Sequence, residues 1–265
     1  MPDLSLIIPT YNERDHVAPL LEQVFAACTA SRLDAEVIIV DDNSPDGTGQ
    51  CAARLADRWP LRVVHRPCRL GLGSAVLAGC AVAGSDVIAV MDADLSHPPQ
   101  LLPSMVSALS RHGLDMVVAS RYVTGGGTTG WPLSRRVMSR LACWAARPFT
   151  AVRDPMSGYF VIRRHRMAGL KTRAAGFKIG LELLVRSGPG AVAELPYVFA
   201  NRLAGRSKMG LREVVRFGRQ LASLAVFRLS PRFSRASAAP AALSPSRSFA
   251  PGRRRLRARS TVGTP

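Results

Sequence analysis

With 265 residues, 47% of them hydrophobic, the chain is long enough to bury a full core, which excludes a disordered tail protein or a disulfide-stapled miniprotein. The formal net charge of +18 is split: residues 1–115 carry 8 Arg against 14 Asp and Glu (−6), residues 116–265 carry 28 Lys and Arg against four acids (+24). Five cysteines without a CxxC pair, no basic-then-apolar leader and no run of 18 apolar residues argue against a disulfide framework, a signal peptide and a membrane span.

In chain order, short β-branched runs alternate with stretches of helical periodicity. Strands are predicted at 4–9 (LSLIIP), 35–40 (AEVIIV), 61–66 (LRVVHR), 86–91 (DVIAVM) and 115–120 (DMVVAS), with helices near 14–30, 47–58, 73–83 and 99–112. Uninterrupted Val/Ile runs separated by helices are the pattern of βαβ units, so the predicted fold class is α/β, a mainly parallel central sheet with helices on both faces. Such sheets bind ligands beyond the carboxyl ends of their strands. Four of the five strand ends are polar there: PTYNE, DDNSPDGT, DADLSHPP and SRYVTGGG.

Further along, a Gly-rich loop at 121–131 leads into a helix at 132–149. DPMSGYFVIRR (154–164) reads as a loop then a strand, GFKIGLELLVRSG (176–188) as a helix, and VAELPYVFANR (192–202) as a strand entering the loop LAGRSKMG (203–210). Residues 211–229 set Val214, Val215, Leu221, Leu224 and Ala225 against Arg212, Arg216, Arg219 and Arg228. That is a basic amphipathic helix with two open readings, one lying in a membrane interface and one packed on the domain. From 230 to 265 there is no acid, and Ser, Ala, Pro and Arg dominate, a composition that predicts disorder. The expected organisation is a domain at 1–210, the amphipathic helix at 211–229 and a basic tail at 230–265.

The chemistry concentrates at the strand ends. Asp92 and Asp94, at i and i+2 of an extended segment, face one side. Hard cations such as Mg²⁺ or Mn²⁺ take one or two carboxylates and complete their shell with substrate phosphates, so the pair reads as a metal–diphosphate clamp or, more simply, as a solvated strand-end turn. Asp41 and Asp42 end another strand, where a carboxylate can accept from a nucleobase or ribose; Tyr11 can stack and Glu13 can hydrogen-bond. GLGSAV (71–76) lacks the third glycine and the acidic partner of a dinucleotide site, and no GxxxxGK[ST] occurs, so NAD and P-loop nucleotides are excluded.

Taken together, IIPTYNE, VDDNSPDGT, GLGSAV, MDADLSHPP, SRYV, DPMSGYF, FKIGLE and NRLAGRSKMG, co-linear from about residue 4 to about 220, resemble the family 2 glycosyltransferases of GT-A fold. Within them, the likeness is to the dolichol-phosphate (polyprenol-phosphate) mannose synthases. The resemblance implies that Pro9, Tyr11, Glu13, Val40 and Asp42 hold the guanosine of GDP-mannose, and that Asp92, Ala93 and Asp94 hold the diphosphate and a Mg²⁺ or Mn²⁺ ion. Asp94 is implied as the direct metal ligand; Ser96 stands where many relatives have Gln, so either its hydroxyl or a water completes that place. His97 reads as structural. Arg121, Lys178, Arg202 and Lys208 are implied around the phosphates.

On the helix after Trp131, Arg135, Arg136, Ser139 and Arg140 share one face. Arg136 and Ser139 are the foremost candidates to receive the acceptor phosphate, against the alternative of a solvated basic face. A lipid monophosphate is largely ionised near neutrality, its second pKa being about 6, so attack on the sugar C1 needs no general base. A single displacement would turn an α-linked donor into a β-linked product. The implied partners are GDP-mannose, a polyprenyl monophosphate and the anionic inner face of the cell membrane, with the protein cytoplasmic and peripheral. Two competing readings are a transferase of the same fold using UDP-glucose or another nucleotide sugar, and a basic nucleic-acid binder. No QxxRW signature of processive synthases occurs. Aromatics are only 6%, sparse for base stacking, so no nucleic-acid partner is expected.

Overall fold

A computed structural model describes residues 1–167, 170, 178–188, 190–200 and 211–230. Seven strands form the main sheet: β1 (Leu4–Thr10), β2 (Ala35–Asp41), β3 (Leu61–His65), β4 (Val87–Val90), β5 (Met116–Ser120), β7 (Phe160–Arg163) and β8 (Val192–Pro196). A two-stranded ribbon pairs β6 (Gly127–Thr128) with β9 (Val198–Phe199). The helices are α1 (Arg14–Ala30), α2 (Thr48–Leu55), α3 (Leu72–Val82), α4 (Leu102–Arg111), α5 (Leu133–Ala146), α6 (Ile179–Arg186) and α7 (Leu211–Leu229).

The strand order is β3-β2-β1-β4-β7-β5-β8. β1, β2, β3 and β4 pair in parallel, as does β5 with β8. β7 runs antiparallel between β4 and β5. That reversal has a functional consequence. The chain leaves β5 at the edge where β1, β2 and β4 also end, makes its excursion through α5, and re-enters the sheet from the same edge. The loop 154–159 is thereby delivered beside Asp92 rather than beneath the sheet.

Period-2 alternation along the buried strands separates two cores. Leu4, Leu6, Ile8, Val37 and Ile39 face α1 and α4 through Val17, Leu21, Leu102 and Met105. Ile7, Ile38, Val40, Ile88 and Val90 face α3 and α6 through Ala75, Val76, Ile179 and Leu183. Gly79 of α3 lets the helix approach β1 closely, since a Cβ there would stand 2.6 Å from the Ile7 side chain. A third cluster joins α5, α6 and α7 through Cys143, Ala146, Leu181, Val185 and Leu224.

The reading of α7 as a helix packed on the domain holds for one of its faces. Gln220 and Leu224 are buried against the domain, whereas Val214, Val215 and Val226 stay exposed. Among the described residues no helix is long and apolar enough to cross a membrane. The tail expected at 230–265 lies, apart from Ser230, outside the described residues.

Candidate active site

The first two strand ends are laced together through backbone donors. After β1 the chain turns through Asn12, which holds φ at 59°, a left-handed conformation that asparagine tolerates better than most residues. The Asn12 N–H donates to Ser44 Oγ (3.0 Å) and the Glu13 N–H to Thr48 Oγ1 (2.9 Å), so PTYNE is bound to the DDNSPDGT loop. Asp41 supports that loop from below, accepting from the Ser44 N–H (3.1 Å) and from the Ser44 and Thr10 hydroxyls.

Asp42 is a junction. Its Oδ1 accepts from Arg66 (2.6 Å) and its Oδ2 from the Gly71 N–H (3.0 Å), which ties the ends of β2 and β3 to the start of α3. A carboxylate offers about four lone-pair directions, so these two bonds leave it acceptor capacity. Glu13 Oε2 sits 2.7 Å from His16 Nδ1. The Tyr11 ring is covered by the Arg69 guanidinium at 4.2 Å. Pro9 and Val40 face each other in register across β1 and β2. Val40, however, is fully buried, with its side chain in the second core.

At the end of β4 the two aspartates differ in environment. Asp92 is about one-third exposed, its side chain at 34%, while Asp94 and Ala93 are buried. Leu95 takes φ of 60°, a left-handed turn costing about 1–2 kcal/mol for a residue with a branched side chain. The turn brings the Ser96 N–H to Asp94 Oδ1 (3.1 Å), and the Ser96 hydroxyl donates to the same oxygen. Ser96 thus stands as the group that orients the Asp94 carboxylate.

His97 is buried, and its Nδ1 accepts the Asp92 N–H at 3.2 Å. Its ring stacks on Tyr159 at 5.1 Å between centroids and meets Tyr197 and Phe199 edge-on. Burial lowers its pKa below the ordinary histidine value, with Asp92 and Asp94 opposing, so it is the neutral tautomer protonated at Nε2. Gly158 lies against Asp92: a Cβ there would come within 3.3 Å of both carboxylate oxygens.

The opposite wall is basic. Arg121, at the end of β5, is buried and grips the fully buried Asp154 through Nε and Nη2, both at 2.7 Å, while its own N–H adds a third bond at 2.9 Å. Burial works against the guanidinium charge, yet the Asp154 bonds keep its pKa above the ordinary arginine value. Asp154 is held in turn by Glu194, which accepts the N–H groups of Arg153 (2.8 Å) and Asp154 (3.0 Å). Lys178 senses Asp92, Arg121 and Asp154; burial pushes its pKa down and Asp92 pulls it back. Gln220 of α7 clamps the Lys178 backbone, accepting its N–H at 3.0 Å and donating to its C=O at 2.8 Å.

On α5 the predicted basic face divides. Arg135 turns inward, its guanidinium 3.9 Å from the Trp131 ring centroid, whereas the Arg136 side chain is exposed. Ser139 accepts from the Tyr122 hydroxyl at 2.8 Å. Arg135 and Ser139, spaced i and i+4, are therefore the inward pair, whereas Arg136, expected foremost with Ser139, has its side chain exposed. Arg202 and Lys208 lie outside the described residues.

Asp92, Asp94, Arg121 and Lys178 are gathered around buried His97, which senses the charge of all four. Sequence reasoning missed Arg66, Arg69, Tyr122, Glu194 and Gln220; only their distant partners reveal them. Among the described residues no three His, Cys, Asp or Glu side chains converge into a closed metal cage. Two carboxylates on a strand end, one oriented by Ser96 and one partly open, fit a hard cation that draws its remaining oxygens from a phosphorylated ligand.

Residues 5–180 match the sequence profile of glycosyl transferase family 2. The chain is 36% identical to a dolichol-phosphate mannosyltransferase of Pyrococcus furiosus, over 82% of this chain and 62% of the relative, and so spans less than two thirds of that protein. It is 39% identical to the enzyme of that name from Mycosarcoma maydis over 86% of this chain and 80% of the relative. For the Saccharomyces cerevisiae protein the figures are 36%, 85% and 88%. Among solved structures, glucosyl-3-phosphoglycerate synthase from Mycobacterium tuberculosis, in complex with Mn²⁺, UDP and phosphoglyceric acid, superimposes with a TM-score of 0.62 at 22% identity, over 86% of this chain and 78% of that one. Mannosyl-3-phosphoglycerate synthase from Rubrobacter xylanophilus gives 0.62 at 21% identity, over 86% and 74%. The fold is the GT-A fold expected from the motifs.

Proposed function

The chain belongs to glycosyl transferase family 2, among the dolichol-phosphate mannosyltransferases, and on that premise we propose that it transfers mannose from GDP-mannose to a polyprenyl monophosphate, giving polyprenyl-phosphate mannose and GDP. One observation carries the reading: Asp92 and Asp94, just beyond β4, share the surroundings of His97 with Arg121 and Lys178, so a site for a cation and a diphosphate adjoins cations suited to a second phosphate.

In this reading Asp94, with Asp92 beside it, would hold Mg²⁺ or Mn²⁺, which would supply positive charge against the diphosphate. Asp42, Glu13 and Tyr11 take the nucleoside. Arg121 and Lys178, with Arg202 and Lys208 carried over from the family motif, offset the repulsion between donor diphosphate and acceptor phosphate. An acceptor oxygen forms the new bond to sugar C1 as the bond from C1 to the diphosphate oxygen breaks, so the anomeric configuration inverts. The ionised acceptor leaves no proton to remove, and no side chain need act as base. Arg135 and Ser139 receive the acceptor phosphate from the α5 side.

The lipid chain needs an apolar exit, and α5 offers one. Leu133, Val137, Leu141 and Trp144, spaced along one stripe, are 75%, 47%, 54% and 74% exposed, with Arg136 and Arg140 alongside. Together with the outer face of α7 they support peripheral attachment to an anionic membrane at its cytoplasmic side.

The test is transfer of radiolabelled mannose from GDP-mannose to a short-chain polyprenyl monophosphate with Mg²⁺ or Mn²⁺, wild type against Asp94→Ala, with UDP-glucose as the competing donor. Labelled lipid from wild type and none from the variant is the expected result. Activity with UDP-glucose alone overturns the sugar assignment and leaves the fold standing.

A further inference from the structure

Ser139 sits midway along α5, where a serine hydroxyl ordinarily donates to the carbonyl one helical turn back. Here its partner is instead the Tyr122 phenol, 2.8 Å away and 17 residues earlier, just beyond β5. The phenol donates and Ser139 Oγ accepts, so among the described residues the serine's own proton goes to no acceptor. Tyr122 is well placed to hold that bond. Its N–H donates to Ser120 Oγ at 3.3 Å, its ring packs on the cluster that joins α5, α6 and α7, and the Arg121 guanidinium stands 5.3 Å from the ring centroid. Burial also raises its pKa above the ordinary tyrosine value, which keeps the donor proton on the phenol. The stripe of α5 that carries Ser139 follows the basic wall. Arg135, one turn before, lies over Trp131, and Cys143, one turn after, is 3.9 Å from Asp154 Oδ1, the oxygen that accepts from Arg121 Nη2. A hydroxyl can turn either a proton or a lone pair toward a phosphate. With the Tyr122 proton occupying a lone pair, a proton is what Ser139 has to offer.

We infer that Tyr122 is a positioning residue for the acceptor: its hydroxyl fixes Ser139 Oγ as a hydrogen-bond donor to the incoming monophosphate. The inference rests on the proposed transfer reaction and deepens it, by assigning a role to a residue that acts through its neighbour. The cations of the wall attract the phosphate by charge; one directed proton adds an orientation, and with it a choice of the oxygen left facing C1. The competing account is a tether that serves the fold alone. Tyr122→Phe removes the hydroxyl and keeps the ring against Arg121 and the cluster, and Ser139→Ala removes the group it serves at a helix position that favours alanine.

The full chain is assayed as wild type, Tyr122→Phe, Ser139→Ala and the double variant, with GDP-mannose and Mn²⁺ saturating while a short-chain polyprenyl monophosphate is varied, and then the reverse. KM for the lipid phosphate should rise about tenfold in Ser139→Ala, which loses a hydrogen bond to a charged group, and about fivefold in Tyr122→Phe, which frees the hydroxyl to turn. KM for GDP-mannose should not move. The double variant should match Ser139→Ala, because a positioning residue has nothing to add once its target is gone. Effects that multiply in the double variant, or a Tyr122→Phe whose KM for the lipid phosphate equals that of wild type, overturn the inference. A rise in both KM values with a lower melting temperature, the mark of a tether for the fold, overturns it as well. If Ser139→Ala leaves KM for the lipid phosphate unchanged, the inference fails and the transfer reaction stands. Where wild type transfers no mannose, the same four proteins are titrated with the lipid phosphate alone and followed by thermal melting. The same pattern of affinities then keeps the inference and removes the reaction, and any other pattern, or no binding by wild type, removes both.

Discussion

The two walls of the crevice are built on different plans. On the β1–β4 side, Asp42 is held from a distance by Arg66 and Gly71, but most carboxylates have a partner close in sequence: Ser44 on Asp41, Ser96 on Asp94, Thr48 on Asp46. On the β5–α7 side, each charged group is held by a residue far along the chain: Arg121 by Asp154, Asp154 by Glu194, Lys178 by Gln220. Around Asp94 the acidic wall is a local turn, closed by Ser96 two residues on. The basic wall exists only once α5, β7, β8 and α7 have docked. Function on the first wall should therefore be removable without unfolding, whereas on the second, site and stability should fail together.

The strongest test of that contrast is Asp154→Asn. Removing one member of a buried ion pair strands the other, at a cost of about 3–5 kcal/mol. Chemical denaturation should show that loss, and the proposed mannose transfer should fall with it. Replacing both partners, Arg121→Met with Asp154→Leu, should restore much of the stability without restoring activity. If Asp154→Asn melts like wild type, the basic wall is not part of the folding unit.

On the acidic wall, Asp94→Asn should cost activity of the order of 10²–10³-fold, the scale set by losing one preorganised electrostatic contact to the reacting charges. Its melting temperature should hold, because the turn keeps an acceptor for Ser96. A parallel fall in stability would erase the distinction between the walls.

The same contrast explains what was legible before the structure. Strand ends are visible in sequence because β-branched runs stop abruptly, and Asp92 and Asp94 share a side because the pleat has a period of two. The antiparallel direction of β7 was not visible, since FVIR reads alike in either direction and its sense depends on where the excursion through 121–159 returns. Nor was Gln220, one polar residue on an amphipathic helix, marked as the clamp of a backbone 42 residues away. Val40 shows the opposite error. Its place in the motif was carried over as a ligand contact, although strand alternation puts its side chain beside Ile38 in the core.

Gln220→Leu offers a smaller, cleaner perturbation. It removes both bonds to the Lys178 backbone at nearly constant volume and should cost about 1–3 kcal/mol for the groups left unpaired. Lys178 would lose its fixed position, so KM should rise more than kcat falls, with Lys178→Arg unable to reproduce the pattern. A variant that loses stability with unchanged KM would show that α7 supports the fold alone.

The mildest probe is Cys143, which touches the basic wall without belonging to it. Burial and then the Asp154 carboxylate push its thiol pKa up to about 12, so at neutral pH it is protonated and unreactive. Cys68, exposed, should label first with a thiol reagent, and Cys143 should stay unlabelled in the native protein. Opening of the wall must both admit reagent and remove the nearby negative charge, so Asp154→Asn should bring Cys143 into the reactive set at denaturant concentrations where Cys28, buried against α1's own core, stays protected. Simultaneous labelling of Cys28 and Cys143 would mean the walls open as one unit, and would place the division between them in the chemistry of the site rather than in the cooperativity of the fold.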